Sequence, residues 1–161
     1  MRIIILLLFC AFSLKGFCAD EKTWYFVRHF EKQHSDNPEL TDFGKKRAKH
    51  LAAFFADIPL SQIYSTDYKR TQQTAAPVAD KLSLAVHSYD PRKLAEFAQE
   101  LRLSSNVLVV GHSNTTPELI TLMGGTTPVI SESDYGQLFV LSVSDGVIKE
   151  TTFTIPAQQK D

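Results

Sequence analysis

The chain has 161 residues, with 17 Lys and Arg against 18 Asp and Glu and 43% apolar residues. That length suits a single domain with one core, and the balance of apolar and charged residues excludes disordered and collagen-like chains. No basic run is longer than Lys45–Arg47, so no nucleic-acid-binding surface is expected.

Arg2 precedes the apolar run Ile3–Ala11, which Phe12, Leu14 and Phe17 extend and Lys15 interrupts. A positive start followed by an apolar stretch too short to cross a bilayer is the pattern of a secretory signal. Residues 1–19 are read as a signal peptide, cleaved after Cys18 or Ala19, and 20–161 as the mature domain. The alternative is a buried N-terminal strand or an uncleaved anchor. Export would place the protein in the periplasm or outside the cell, with no stable membrane insertion after cleavage. The loss of Arg2 and Lys15 leaves 15 basic against 18 acidic residues, a net charge of −3. Both cysteines, Cys10 and Cys18, fall in the signal, so neither an internal disulfide nor cysteine-ligated zinc is expected.

Along the mature chain, Trp24–Val27 is a short β-prone run ending at Arg28-His29. Glu31–Leu40 reads as a polar loop. Thr41 has the character of a helix N-cap, and Ala48, Leu51, Ala52 and Phe55 recur at helical spacing until Pro59. Gln62–Tyr64 reads as a second strand, Ser65-Thr66-Asp67 as a turn, and the following residues as a helix to Leu82. Leu84–Val86 reads as a third strand. Pro91 suits the first turn of a helix that places Leu94, Phe97, Ala98 and Leu101 on one face. Val107–Val110 is a continuous apolar strand of the kind helices cover on both sides. Pro117 is expected to open a helix running to Met123, which Gly124-Gly125 stop. Leu138–Val143 and Val147–Phe153, split by Ser144-Asp145-Gly146, read as a terminal hairpin. Strand–helix alternation followed by a hairpin predicts a three-layer α/β domain with a mostly parallel central sheet flanked by helices.

In such sheets, sites form beyond the carboxyl ends of the strands. Arg28-His29, Ser65–Asp67 with Arg70, and Gly111-His112-Ser113 all follow predicted strands. Guanidinium groups match phosphate oxygens with paired donors and stay charged. A neutral imidazole beside them is a nucleophile whose protonation the cations oppose. Two Arg and two His can therefore form a metal-free phosphoryl-transfer site. His29, Glu31 and His34 lie in a loop without a helical His pair, so neither a metal nor another cofactor is expected. His50 and His87 read as structural or surface groups.

Four ordered blocks carry a resemblance: Phe26-Val27-Arg28-His29, Leu40-Thr41-Asp42-Phe43-Gly44, Ile63 through Ala75 including Arg70, and Val109-Val110-Gly111-His112-Ser113. Together they resemble the histidine phosphatase superfamily, the phosphoglycerate-mutase-like group. The resemblance implies that His29 forms a phosphohistidine, that Arg28, Arg70 and His112 clamp the phosphate, and that water completes hydrolysis of a phosphorylated substrate. It also implies a carboxylic acid that protonates the leaving group. Asp90, after the third strand, is the first choice and Glu31 the rival, with Glu31 and Ser113 as further substrate contacts. The small residue usual after the nucleophile is Phe30 here, expected either to need an unusual backbone or to wall the substrate pocket. The absence of a long insertion implies an open pocket. Phosphoglycerate-mutase-type transfer and non-catalytic phosphate binding are the alternatives. These motifs leave oligomeric state open.

Overall fold

The computed structural model describes residues 21–157. The expected signal peptide lies outside the described residues. Strand β1 (Lys22–Arg28) leads to helix α1 (Asp42–Phe54), β2 (Gln62–Ser65) and α2 (Lys69–Leu82). Then come β3 (Val86–Ser88), α3 (Leu94–Leu101), β4 (Val107–Gly111) and α4 (Thr115–Leu122), and the chain closes with β5 (Gln137–Ser144) and β6 (Val147–Thr154). The six strands form one sheet in the order β3-β2-β4-β1-β5-β6. The first four are mutually parallel, and β5 and β6 run antiparallel.

Alternation of side chains along the strands builds two cores. Val27, Ile63, Leu108 and Val110 pack with Ala48, Leu51 and Ala52 of α1 and Ala75, Val78 and Ala79 of α2. Trp24, Phe26, Tyr64, Val107 and Val109 turn to the other face, against Leu94, Phe97, Ala98 and Leu101 of α3 and Leu119 and Ile120 of α4. The Trp24 indole N–H donates to the buried Leu101 carbonyl at 2.8 Å, tying β1 to α3. The expected three-layer α/β architecture is therefore the one observed.

Some boundaries differ from the sequence reading. The third strand is Val86–Ser88, not Leu84–Val86, because its register follows β2, with Ile63 opposite Val86 and Ser65 opposite Ser88. Helix α3 starts at Leu94, and Pro91 sits in the turn before it. Helix α4 starts at Thr115, two residues before Pro117, which leaves that proline in the first turn, where its missing N–H costs nothing. The final turn is the two-residue loop Asp145-Gly146, both at positive φ (52° and 76°), the geometry that matches hairpin twist.

Register fixes the location of the site. Arg28 lies opposite Gly111, and Ser65 opposite both Val110 and Ser88, so the carboxyl ends of all four parallel strands align. The Thr41 hydroxyl accepts from the Gly44 N–H at 3.2 Å and starts α1 as expected. Gly44 is there for space: a Cβ would stand 2.3 Å from the Glu31 carbonyl oxygen, so the loop after His29 can lie directly on α1.

Candidate active site

His29 follows the last residue of β1, and its backbone N–H donates to the Gly111 carbonyl at 2.9 Å. This bond joins the ends of β1 and β4 and places the His29 and His112 rings 5.6 Å apart, edge to face. The His29 side chain is buried, and its Nδ1 lies 2.8 Å from the Phe30 carbonyl oxygen. A carbonyl can only accept, so Nδ1 carries the proton and Nε2 keeps the lone pair. Burial is the main cause of a His29 pKa lowered to about 3; the Phe30 bond opposes that shift, and the Arg28, Arg70 and His112 charges add to it. His29 is therefore a neutral imidazole with one nucleophilic nitrogen at any ordinary pH.

Around it stand the other residues read from the sequence. Arg28 is buried, with Nη1 donating to the carbonyls of Ser131 (2.6 Å) and Asp134 (3.2 Å), Nη2 donating to Glu132 (2.9 Å), and the Tyr135 ring 4.5 Å away. Arg70, in the first turn of α2, is half-buried over the Tyr68 ring at 4.6 Å, and burial lowers its pKa. Its Nη2 donates toward His112 Nδ1 at 3.4 Å. Among the described residues, Nε of both Arg28 and Arg70 is buried without a hydrogen-bond partner. A buried, unpaired donor on a cation is costly, and an anion between the two guanidiniums would relieve it.

His112 is held from behind by Thr66, whose Oγ1 lies 2.9 Å from Nε2 and 2.9 Å from the Thr71 hydroxyl. The Thr66 hydroxyl donates to Thr71, so His112 Nε2–H donates to Thr66 Oγ1 and Nδ1, facing Arg70, keeps the lone pair. Burial, then Arg70 and Arg28, lowers the His112 pKa to about 4, with Glu132 opposing. Gly111 lets this strand end close up, since a Cβ there would stand 2.7 Å from the Thr115 hydroxyl.

The site opens into a cavity of about 280 Å³ lined by Tyr68, Arg70, Pro91, Arg92, His112, Asn114 and Thr115. A second cavity of about 480 Å³, lined by Asp67, Tyr68, Ser88, Tyr89, Asp90, Pro91 and Arg92, shares Tyr68, Pro91 and Arg92 with it. Asp90 lies on this second surface, bonded through both carboxylate oxygens to Arg92 at 2.9 and 3.0 Å. The Arg92 hydrogen bonds hold its pKa at about 2, where the acid role would need it raised. Glu31 is committed to Arg47, with Nε at 3.0 Å from Oε2, and Arg47 also donates to the Ile155 carbonyl. Ser113 donates to Glu132 at 2.6 Å. Phe30 does not wall the pocket: its φ is not positive, and its fully buried ring joins the α1–α2 core. Among the described residues, no three His, Cys, Asp or Glu converge as metal ligands.

Sequence reading missed Glu132 and Tyr135. They sit in the polar turn Ser131–Gly136, just before β5, and no local signal ties that turn to Arg28. Only the antiparallel pairing of Val27 with Leu138 brings it there.

Residues 24–98 match the model of the histidine phosphatase superfamily (branch 1). No curated protein matches the chain significantly. Among solved structures, the fold is similar to the protein histidine phosphatase SixA complexed with tungstate (TM-score 0.66, 17% identity, 84% of this chain and 97% of that one). It is also similar to mycobacterial glucosyl-3-phosphoglycerate phosphatase (TM-score 0.65, 13% identity, 86% and 100%). A third similar structure is a phosphoserine phosphatase from Entamoeba histolytica in complex with 3-phosphoglyceric acid (TM-score 0.63, 14% identity, 82% and 96%). The family match covers the Arg28-His29 and Arg70 blocks, and the remaining block, Gly111-His112, meets them at the same end of the sheet: over residues 24–98 this chain matches the histidine phosphatase superfamily.

Proposed function

We propose that the chain is a phosphatase that hydrolyses phosphorylated substrates through a phosphohistidine on His29. The observation that carries this reading is the neutral His29, its lone pair confined to Nε2, beside the buried Arg28 and half-buried Arg70, whose Nε–H groups find no acceptor among the described residues. Nε2 attacks phosphorus while the bond to the leaving-group oxygen breaks. Arg28, Arg70 and His112 hold the non-bridging oxygens and offset the charge that spreads over them. Water then attacks the phosphohistidine, releasing inorganic phosphate and restoring the imidazole. The leaving oxygen takes a proton from a carboxylic acid or from solvent. With Asp90 and Glu31 both ion-paired, substrates whose leaving group departs without an acid suit this site best.

Quenching turnover in denaturant without acid, followed by mass mapping, tests the reading. One phosphate on His29, and loss of turnover in His29→Ala, are expected. A label elsewhere, or substantial turnover in His29→Ala, overturns it. Phosphate returned to a second acceptor in place of water would identify mutase-type transfer, and phosphate binding with no label would identify a non-catalytic receptor. The pattern of residues 1–19 supports export as a further proposal; the N-terminus of the protein recovered from cells, expected at Ala19 or Asp20, checks it.

A further inference from the structure

Glu132 is an exposed side chain, yet its carboxylate ends inside the site. Oε2 accepts from Arg28 Nη2 at 2.9 Å and Oε1 accepts from the Ser113 hydroxyl at 2.6 Å. It thereby spans two groups from different strand ends, both in the blocks expected to meet phosphate. The charge of Glu132 also acts on Arg70 and His112 and opposes the lowering of both their pKa values.

The turn that carries Glu132 is built around Arg28. The Asp134 carboxylate accepts from the Ser131 N–H at 2.8 Å, and the Asp134 N–H donates to the Ser131 carbonyl at 3.0 Å. That same Ser131 carbonyl, with the Asp134 carbonyl, accepts from Arg28 Nη1, and Tyr135 covers the guanidinium plane. Backbone oxygens thus hold Nη1 of Arg28, while Nη2 is taken by the exposed side chain of Glu132. A carboxylate and a phosphoryl group make the same paired contacts to guanidinium and hydroxyl donors.

We propose that Glu132 is the resident anion of the phosphate position, neutralising Arg28 in the free protein, and that substrate binds by displacing it. The inference rests on the proposed phosphatase reading and adds to it the group with which the substrate competes. Because only molecules with Glu132 displaced can accept phosphate, apparent affinity falls by the displaced fraction. The contact is charge-assisted but solvent-exposed, so the penalty is moderate, about fivefold in Kd.

Titration calorimetry of inorganic phosphate with the wild-type chain, Glu132→Gln and Glu132→Ala measures this directly. Both variants are expected to bind phosphate about fivefold more tightly, and a tungstate-bound structure of the wild type should show Glu132 detached from Arg28. Equal or weaker phosphate binding by both variants overturns the inference, as does tungstate held by Arg70 and His112 with Glu132 still on Arg28. If the wild type also turns over substrate in either case, the phosphatase reading stands without it. If neither wild type nor variants bind phosphate and none turns over substrate, both fail together. A Glu132→Gln defect confined to poor leaving groups, with phosphate affinity unchanged, would make Glu132 the proton donor and overturn the resident-anion role.

Discussion

Replacing His29 with Asn removes a titrating group that the fold holds neutral, and the consequence can be read in stability as a function of pH. Unfolded, the imidazole has its ordinary pKa of 6.5; folded, it is lowered to about 3, chiefly by burial. Between those values the unfolded state binds more protons, so stability falls as the pH drops. The contribution is fully present above about pH 6.5 and is lost progressively toward pH 3. From pH 8 to pH 5, a single histidine shifted this far removes about 2 kcal/mol. His112, lowered to about 4, removes nearly the same over that interval. The lowered carboxylates Asp90, Glu132 and Asp134 also cost stability in acid, but mostly below that range, and they cancel when a variant is compared with the parent. Urea unfolding at pH 8 and pH 5 gives the difference. His29→Asn is expected to lose about 2 kcal/mol less than the wild type across the interval, and so is His112→Asn. The rings touch, so the double variant need not show the full sum. Wild-type and His29→Asn stabilities that run parallel from pH 8 to pH 5 would refute the claim that the fold keeps His29 uncharged, and with it the account of its nucleophilicity.

Two further outcomes follow from particular contacts. The Arg92 ion pair predicts that Asp90→Asn slows alkyl and nitrophenyl phosphates to a similar extent; a loss of about 10²–10⁴-fold confined to the alkyl ester would show that bound substrate frees Asp90 to act as the acid. Gly44→Ala, a change that ordinarily favours a helix, should here destabilise by about 1–3 kcal/mol, because the new methyl meets the Glu31 carbonyl; thermal unfolding of that variant at unchanged or higher temperature would contradict the close packing of the loop on α1.

Much of the site was legible because its chemistry is local. Arg28-His29, Arg70 and His112 each follow a strand whose apolar residues announce it, and a parallel α/β sheet gathers such strand ends at one side. The Thr41 cap and the positive-φ turn at Asp145-Gly146 were legible for the same reason, since each depends on residues a few positions apart. Phe30 was misjudged because its surroundings are not local: the core that takes its ring is assembled from α1 and α2, and no neighbour in sequence reports that space. Asp90 and Glu31 could be placed near the site from the order of elements, but their partners Arg92 and Arg47 depend on where long side chains find room. Glu132 is the extreme case. It lies 104 positions from Arg28, and the contact exists only because β5 runs antiparallel to β1, setting the turn before β5 beside the carboxyl end of β1. The sequence by itself determined the layered sheet and the placing of Arg28, His29, Arg70 and His112 at its strand ends, whose signals are side-chain type and short-range period. Tertiary structure alone decided which carboxylates pair with Arg92 and Arg47 and which one meets Arg28, because electrostatic partners are chosen by distance in space.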